Sequence, residues 1–144
     1  MTAGALVPAD ILKRYLRATP AQFLSLWQHT VLGHIQAQSV GYNGHFANGL
    51  AAIFIACGQD VGNLPNCSVG ITNFEVTARG DLYASVTLPS LTIATVGGGI
   101  GLGTARECLE IVGCEGDNLA PKVAEIIRST IPAGKSIIRA SIIR

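Results

Sequence analysis

The sequence has few charged residues. Asp, Glu, Lys and Arg make up only 13% of its 144 residues, and the formal net charge is +1. No run of basic residues is interleaved with aromatic side chains, so the chain lacks the positive surface with which proteins bind the phosphates of DNA or RNA. We expect no nucleic acid among its partners.

A long apolar run is also missing. The longest stretch, from Leu50 to Cys57, is far shorter than the roughly 20 residues that a helix needs to cross a bilayer. Residues 1–5 show no positive region followed by an apolar core, which a secretory signal would have. We therefore predict a cytoplasmic protein with no membrane partner.

Metal-binding patterns are absent as well. The cysteines show no Cys-x-x-Cys spacing and no nearby histidine partner; they are Cys57, Cys67, Cys108 and Cys114. His29 and His34 lie five residues apart, which is the wrong spacing for two ligands on one helical face. We predict buried free thiols and no metal site.

Apolar residues, in contrast, are abundant. They form 49% of the chain, and the mean hydropathy is +0.42. The length fits one domain with a genuine core, so we treat residues 1–144 as a single domain. Because the apolar content is high for a monomer, we expect another subunit to cover part of the surface, and we predict a homo-oligomer.

Residues 42–60 are the stretch around which the rest is organised. They are apolar almost all round and rich in Ala and Gly, which predicts a long central helix buried in the domain. The polar exceptions fall within one broad face; they are His45, Asn48, Gln59 and Asp60. At about 1.5 Å per residue, roughly 22 Å of helix separates His45 from Asp60, so within one subunit the two cannot meet at one substrate atom.

Shorter helices and a small antiparallel sheet are predicted around this helix. The helices cover roughly residues 8–16, 19–38, 105–112 and 118–132. The second has a capping box, with Thr19 and Gln22 flanking Pro20, and Asn43 is placed to cap the central helix. We expect Asn118 to cap the last helix and Pro132 to end it, whereas the tail that follows allows helix or strand.

The sheet is predicted from period-two alternation. Apolar residues alternate from Cys67 to Ile71, and the alternation then slips to Phe74 and Val76, as a bulge near Thr72–Asn73 would explain. After a turn, residues 82–88 alternate as a half-buried antiparallel strand. The fold class is therefore α+β.

A glycine run follows, beginning at Gly97, Gly98 and Gly99. We expect it to lie between a strand and a helix, where backbone N–H groups can cradle an anion. It has no glycine triplet with the spacing of the dinucleotide fingerprint. The glycine run could therefore form either a tight turn or a loop that cradles a ligand.

Asp60 is the strongest catalytic candidate. At the C-terminal end of the central helix the macrodipole disfavours a negative charge, which suits a proton donor held in a low-dielectric wall. The alternative is a carboxylate that caps the Gly62–Asn63 turn. His45 could carry a proton or donate to a substrate oxygen, or be a satisfied core histidine, and Asn48 is a plausible amide partner.

Four motifs, in this order and spacing, resemble the C-terminal part of the catalytic domain of 3-hydroxy-3-methylglutaryl-CoA reductase. They are GYNGHFAN at 41–48, IACGQD at 55–60, DLY at 81–83 and TVGGG at 95–99. The similarity covers roughly Leu6 to Pro132, and it departs from the family pattern at Ile100 to Gly103. The resemblance implies the α+β fold of that family's substrate-binding domain, with a long central helix.

The resemblance also implies limits on activity. In that family the aspartate matching Asp60 works with a lysine and a glutamate that lie upstream of anything in this chain. The nicotinamide-binding domain lies upstream too, and the catalytic histidine lies in a C-terminal tail beyond the matched region. Hydride transfer therefore cannot be assembled from this polypeptide alone, and we expect no bound cofactor. Because the family's site lies between two subunits, Asp60 of one chain could face His45 and Asn48 of the other.

Two hypotheses follow. In the first, the chain is a truncated reductase-like homodimer that has lost hydride transfer and binds a CoA-thioester-like or polyketide-like ligand through Gln59 and Gly97–Gly99. Asp60 then catalyses a non-redox acid/base reaction such as a cyclisation or rearrangement. In the second, the chain is a non-catalytic interaction module, or a subunit that completes a reductase in trans.

Overall fold

The computed structural model describes residues 2–143, with the side chains of the last helix described up to Ile131. The fold is α+β, as predicted. The strands are β1 (Thr2–Val7), β2 (Ile71–Val76) and β3 (Leu82–Thr87). The helices are α1 (Ala9–Ile11), continued by a π-helical turn at Leu12–Leu16, then α2 (Pro20–Gln36), α3 (Phe46–Ala56), α4 (Leu64–Cys67), α5 (Gly103–Ile111) and α6 (Ala120–Ile143).

The three strands form one antiparallel sheet in the order β1-β3-β2. The alternation in β3 is confirmed, because Leu82, Ala84 and Val86 are buried while Tyr83 is exposed. β1 was not predicted from the sequence. It begins with small residues that show no alternation, yet it pairs with β3 along its whole length.

The predicted bulge in β2 is wrong. β2 pairs with β3 without interruption from Ile71 opposite Thr87 to Val76 opposite Leu82. Cys67 belongs to α4 rather than to the strand. The alternation therefore changes phase because the chain passes from a helix through a loop into β2, and no extra residue interrupts the ladder.

The central helix α3 is shorter than residues 42–60 suggested. It has 11 residues and ends at Ala56. Phe46, Leu50 and Phe54 are buried on one face, whereas Ile55 is 72% exposed on the opposite face. Within a single chain, then, α3 is buried along one side only, and its other side presents apolar residues to the surroundings.

Helix ends were predicted with mixed success. The capping box of α2 is confirmed: the Thr19 hydroxyl accepts from the Gln22 N–H at 3.3 Å, and the Gln22 side chain accepts from the Thr19 N–H at 2.8 Å. The expectation that Pro132 ends the last helix is wrong, since α6 continues to Ile143; proline removes one helical hydrogen bond but does not have to end a helix. Asn118 lies in the turn before α6 with a left-handed φ of 62°, so it is not the residue that flanks the first helical turn.

Two clusters of buried side chains hold these elements together. One joins α3, α5 and α6 to the inner face of the sheet and includes Leu50, Leu109 and Ile127. The other lies between the sheet and the first helices, where the rings of Phe23 and Phe74 meet edge to face at 5.7 Å. Because α3 is anchored along its buried face, the residues that flank its two ends have fixed positions.

Candidate functional site

The two ends of α3 border two separate clefts. The histidine cleft, about 460 Å³ in volume, lies at the N-terminal end and is lined by His34, Asn43, His45 and Asn48 among others. The aspartate cleft, about 480 Å³, lies past the C-terminal end and is lined by Gln59, Asp60 and Gly97–Gly99 among others. A helix of this length is about 16 Å long. The four polar residues that the sequence singled out therefore form two pairs. His45 and Asn48 lie in the histidine cleft, Gln59 and Asp60 lie in the aspartate cleft, and the two pairs stay apart within one chain.

In the histidine cleft, His45 directly precedes α3, and Asn48 lies in its first turn. The Asn48 side-chain amide lies 3.0 Å from Nδ1 of His45. Because the amide nitrogen can only donate, Nδ1 accepts this bond, which leaves the proton of a neutral imidazole on Nε2. Asn43 caps the helix as expected, with its Oδ1 accepting from the Phe46 N–H at 3.2 Å.

His34 is a member of this cleft that sequence reasoning did not identify. Its spacing from His29 excludes a shared metal site on one helical face, and the sequence indicates no other role for it. Its Nε2 lies 2.7 Å from the Asn43 carbonyl oxygen. The signal in the sequence was faint, because the contact joins α2 to a bend nine residues later and no local period reveals it.

In the aspartate cleft, Gln59 is 8% exposed, and its amide pairs with the backbone of Ala94. The Gln59 side chain donates to the Ala94 carbonyl at 2.8 Å and accepts from the Ala94 N–H at 2.9 Å. It also donates to the Cys57 carbonyl at 3.2 Å. These bonds hold the segment that leads into the glycine run against the end of α3.

Gly58 and Gly99 allow a close backbone approach. A Cβ built on Gly58 would lie 2.5 Å from the carbonyl oxygen of Gly99, and Gly58 has a φ of 63°. A Cβ on Gly99 would lie 3.0 Å from the Gly58 carbonyl oxygen. Any side chain at either position would push the glycine run away from Gln59 and Asp60, so the shape of the aspartate cleft depends on both glycines.

The sequence suggested that Asp60 lies in a buried wall at the end of the central helix. The structure places it elsewhere. Left-handed Gly58 breaks the chain direction after α3, and Asp60 is exposed. Its Oδ1 accepts from the Gly62 N–H at 2.9 Å and caps a short 3₁₀ turn at Val61–Asn63. The capping alternative is therefore what the single chain adopts, and Asp60 also lines the aspartate cleft.

The glycine run is preceded by irregular chain, which corrects the expectation of a strand before it. Residues 91–94 carry no regular structure, and Gly98–Gly101 form a 3₁₀ turn. Gly97 has a φ of 108°, a conformation that favours glycine. The run is thus a tight turn, and its first three residues line the aspartate cleft.

Comparison with known proteins identifies the family. The family model described as hydroxymethylglutaryl-coenzyme A reductase matches residues 1–140. The chain belongs to the hydroxymethylglutaryl-CoA reductase family. It is similar to the 3-hydroxy-3-methylglutaryl-coenzyme A reductases of Pyrococcus abyssi (42% identity over 99% of this chain and 36% of that protein), Methanocaldococcus jannaschii (49% over 72% and 25%) and Xenopus laevis (35% over 96% and 17%). It therefore spans about a third or less of the length of these relatives.

Three of the four reductase-like motifs border the two clefts. Gly41 and residues 43–48 line the histidine cleft, while residues 58–60 and 96–99 line the aspartate cleft. The motif at 81–83 has a different place: Asp81 accepts from the Ala9 N–H at 3.0 Å and joins the start of β3 to α1. Through this hydrogen bond the motif stabilises the fold of the reductase-family chain.

The four cysteines are free thiols, and three of them are buried. Burial raises the pKa of the Cys57 thiol, and the nearby Cys108 and Cys114 add to the effect. Within the part of the chain that the structure describes, no three His, Cys, Asp or Glu side chains are grouped to hold a metal ion. None of the described helices combines the length and the apolar composition needed to span a bilayer.

Proposed function

We propose that this reductase-family chain binds a CoA thioester of the 3-hydroxy-3-methylglutaryl-CoA type in a site shared by two protomers. The aspartate cleft of one protomer and the histidine cleft of its partner would form the two halves of that site. The observation that carries the proposal is the division of the polar motif residues between clefts at opposite ends of one helix. His45 and Asn48 are at one end, and Gln59, Asp60 and Gly97–Gly99 are at the other.

The exposed face of α3 supports a homodimer. Asn48, Ala52, Ile55 and Ala56 are exposed and follow one stripe from the histidine cleft towards the end of the helix. Covering such an apolar stripe favours association. In a two-fold dimer a patch meets its own copy, so two α3 helices that cross the axis run antiparallel. The His45 end of one helix then lies beside the Asp60 end of the other, which would complete the site.

The chemistry we propose is acid/base catalysis without a nicotinamide. Asp60 is exposed in the single chain, and a partner protomer would cover it and lower the local dielectric. In that covered site His45 would donate to a thioester carbonyl, while Asp60 would give or take a proton. These 144 residues carry no dinucleotide fingerprint. A cyclisation or rearrangement of an acyl-thioester or polyketide-like ligand is the reaction class that fits.

A second candidate function is supported by the extent of the similarity. The chain matches 36% of the Pyrococcus abyssi reductase. A partner chain that supplies the lysine, the glutamate and a nicotinamide-binding domain would complete a reductase in trans. Co-purification from the native host separates the two, because a stoichiometric partner with a dinucleotide fold favours the second candidate.

Calorimetric titration tests the first proposal. Purified protein is titrated with 3-hydroxy-3-methylglutaryl-CoA and with free coenzyme A, in the absence of NADPH. We expect saturable binding that Asn48→Ala weakens about tenfold. Asn66→Ala is the matched control, since Asn66 is an exposed asparagine outside the lining of both clefts. Failure of 3-hydroxy-3-methylglutaryl-CoA to bind would count against the proposal.

A further inference from the structure

His34 has no role in the site described so far, although it lines the histidine cleft. Its Nε2 lies 2.7 Å from the Asn43 carbonyl oxygen. A carbonyl oxygen only accepts, so Nε2 of His34 carries a proton and donates it. The His34 ring also meets Tyr42 edge to face, with 6.4 Å between centroids. The histidine thus joins the C-terminal part of α2 to the bend that precedes α3.

Asn43 is the centre of this bend. Its side-chain amide donates to the carbonyls of Ser68 at 3.0 Å and Gly70 at 3.3 Å, while its Oδ1 accepts from the Phe46 N–H. These bonds tie the side chain of Asn43 to the loop before β2 and to the start of α3. The backbone carbonyl of Asn43 is held from the opposite side, by His34.

We infer that His34 is a positioning residue for the His45–Asn48 pair. The carbonyl that it holds belongs to the peptide between Asn43 and Gly44, and glycine leaves the next backbone step free to rotate. Fixing that peptide sets the direction in which the chain reaches His45, two residues later. The imidazole is thereby preorganised to accept from the Asn48 amide through Nδ1. The ligand-binding part of this inference rests on the proposed function, whereas the orientation of His45 does not.

Three variants separate the hydrogen bond from simple packing. His34→Leu removes the donor and keeps an apolar side chain of moderate size. His34→Gln restores an N–H donor, because the glutamine amide nitrogen reaches about as far as Nε2 of histidine. His29→Leu is the matched control: His29 lies on the same helix, is exposed, and bonds within α2 to the Ser25 carbonyl at 2.7 Å.

The decisive measurement is the nitrogen NMR spectrum of the imidazole rings in the ligand-free protein. In wild type the two ring nitrogens of His45 should show one tautomer, protonated on Nε2. In His34→Leu we expect the two signals to move towards each other as tautomers mix, whereas His34→Gln and His29→Leu keep the wild-type pattern.

In the same series the affinity for 3-hydroxy-3-methylglutaryl-CoA should fall about three- to tenfold in His34→Leu alone, as expected for one lost hydrogen bond.

Unchanged His45 signals in folded His34→Leu would overturn the inference. If that variant does not fold, His34→Asn takes its place, since the asparagine amide is too short to reach the Asn43 carbonyl, and the same two spectra decide. If even the wild type binds no thioester, the proposed function fails, and the spectrum still decides the role of His34.

Discussion

Gln59 and Asp60 are neighbours in the chain but have different roles in the folded protein. The sequence indicated both as polar residues on one helical face. In the structure Gln59 is buried and pairs with the backbone of Ala94, whereas Asp60 is exposed and caps a turn. Local pattern could find these residues, but their environments depend on Gly58 and on a segment 35 residues away.

Replacing Asp60 tests its proposed role as an acid or base. In Asp60→Asn we expect exchange of the protons next to the thioester carbonyl of 3-hydroxy-3-methylglutaryl-CoA to slow at least about a hundredfold, since a positioned proton carrier contributes that much or more. The exchange is measured by NMR in deuterated water. Stability should change by less than about 0.5 kcal/mol, because the site is exposed and asparagine can keep the bond to the Gly62 N–H.

Asp10→Asn is the control for this variant, because Asp10 is also exposed and lies outside the lining of both clefts. Wild-type exchange in Asp60→Asn would remove Asp60 from the mechanism.

The buried thiol of Cys57 predicts a loss of stability at alkaline pH. Burial, aided by Cys108 and Cys114, raises the pKa of Cys57 in the folded protein. The unfolded chain loses this proton near pH 8.5, whereas the folded chain keeps it to higher pH. The contribution of Cys57 to the free energy of unfolding is therefore complete below about pH 8, and it declines as pH rises through the folded pKa.

Urea unfolding at a series of pH values measures this effect. Cys57→Ala should flatten the alkaline decline, while Ile127→Val, a core change without an ionisable group, should lower stability equally at every pH. An equally steep alkaline decline in Cys57→Ala and wild type would show that another group is responsible.

At the scale of elements, predictions succeeded where the signal was local. The capping box of α2 and the alternation of β3 are complete within a few residues. β1 was missed because a strand of small residues carries no alternation, and its place is set by pairing with β3 some 80 residues later. The end of α3 was missed because Gly58 falls within the stretch whose composition predicts the helix, while its left-handed backbone ends the helical path.

The close approach of Gly58 to Gly99 gives a prediction for this junction. Gly80→Ala should cost roughly 1–2 kcal/mol, because Gly80 has a φ of 83° but its Cβ would meet no atom within 4 Å. Gly58→Ala should cost at least about 1 kcal/mol more, since its Cβ would also overlap the backbone of Gly99. Urea denaturation of the two variants measures the difference. Equal losses of stability in Gly58→Ala and Gly80→Ala would mean that the close approach of Gly58 to Gly99 is not needed.

At the scale of the whole molecule, the fold leaves several large apolar side chains exposed. The exposed side of α3 and of the neighbouring helices includes Ile55 at 72% and Ile111 at 83%. The sequence predicted an oligomer from composition, and helix geometry alone separated His45 from Asp60. The surface that the proposed dimer would use could not be derived from local pattern, because it depends on which side chains the completed fold leaves uncovered.

Ile55→Glu tests the proposed dimer. The variant should sediment as a monomer, because a charge would enter the covered stripe of α3, yet the monomer's stability should change by less than about 0.5 kcal/mol at so exposed a position. Leu6→Glu is the control, since Leu6 is 57% exposed on β1 and should leave the dimer intact. A stable Ile55→Glu dimer would place the interface elsewhere.

We propose that these 144 residues form a CoA-thioester site across two protomers, and we expect that they do not transfer hydride by themselves. The most direct measurement is to titrate the purified protein with 3-hydroxy-3-methylglutaryl-CoA in a calorimeter, and then to add NADPH and follow its absorbance. We predict saturable binding at one site per chain and constant NADPH absorbance. Absence of binding, or consumption of NADPH by this polypeptide with no companion protein, would contradict the account.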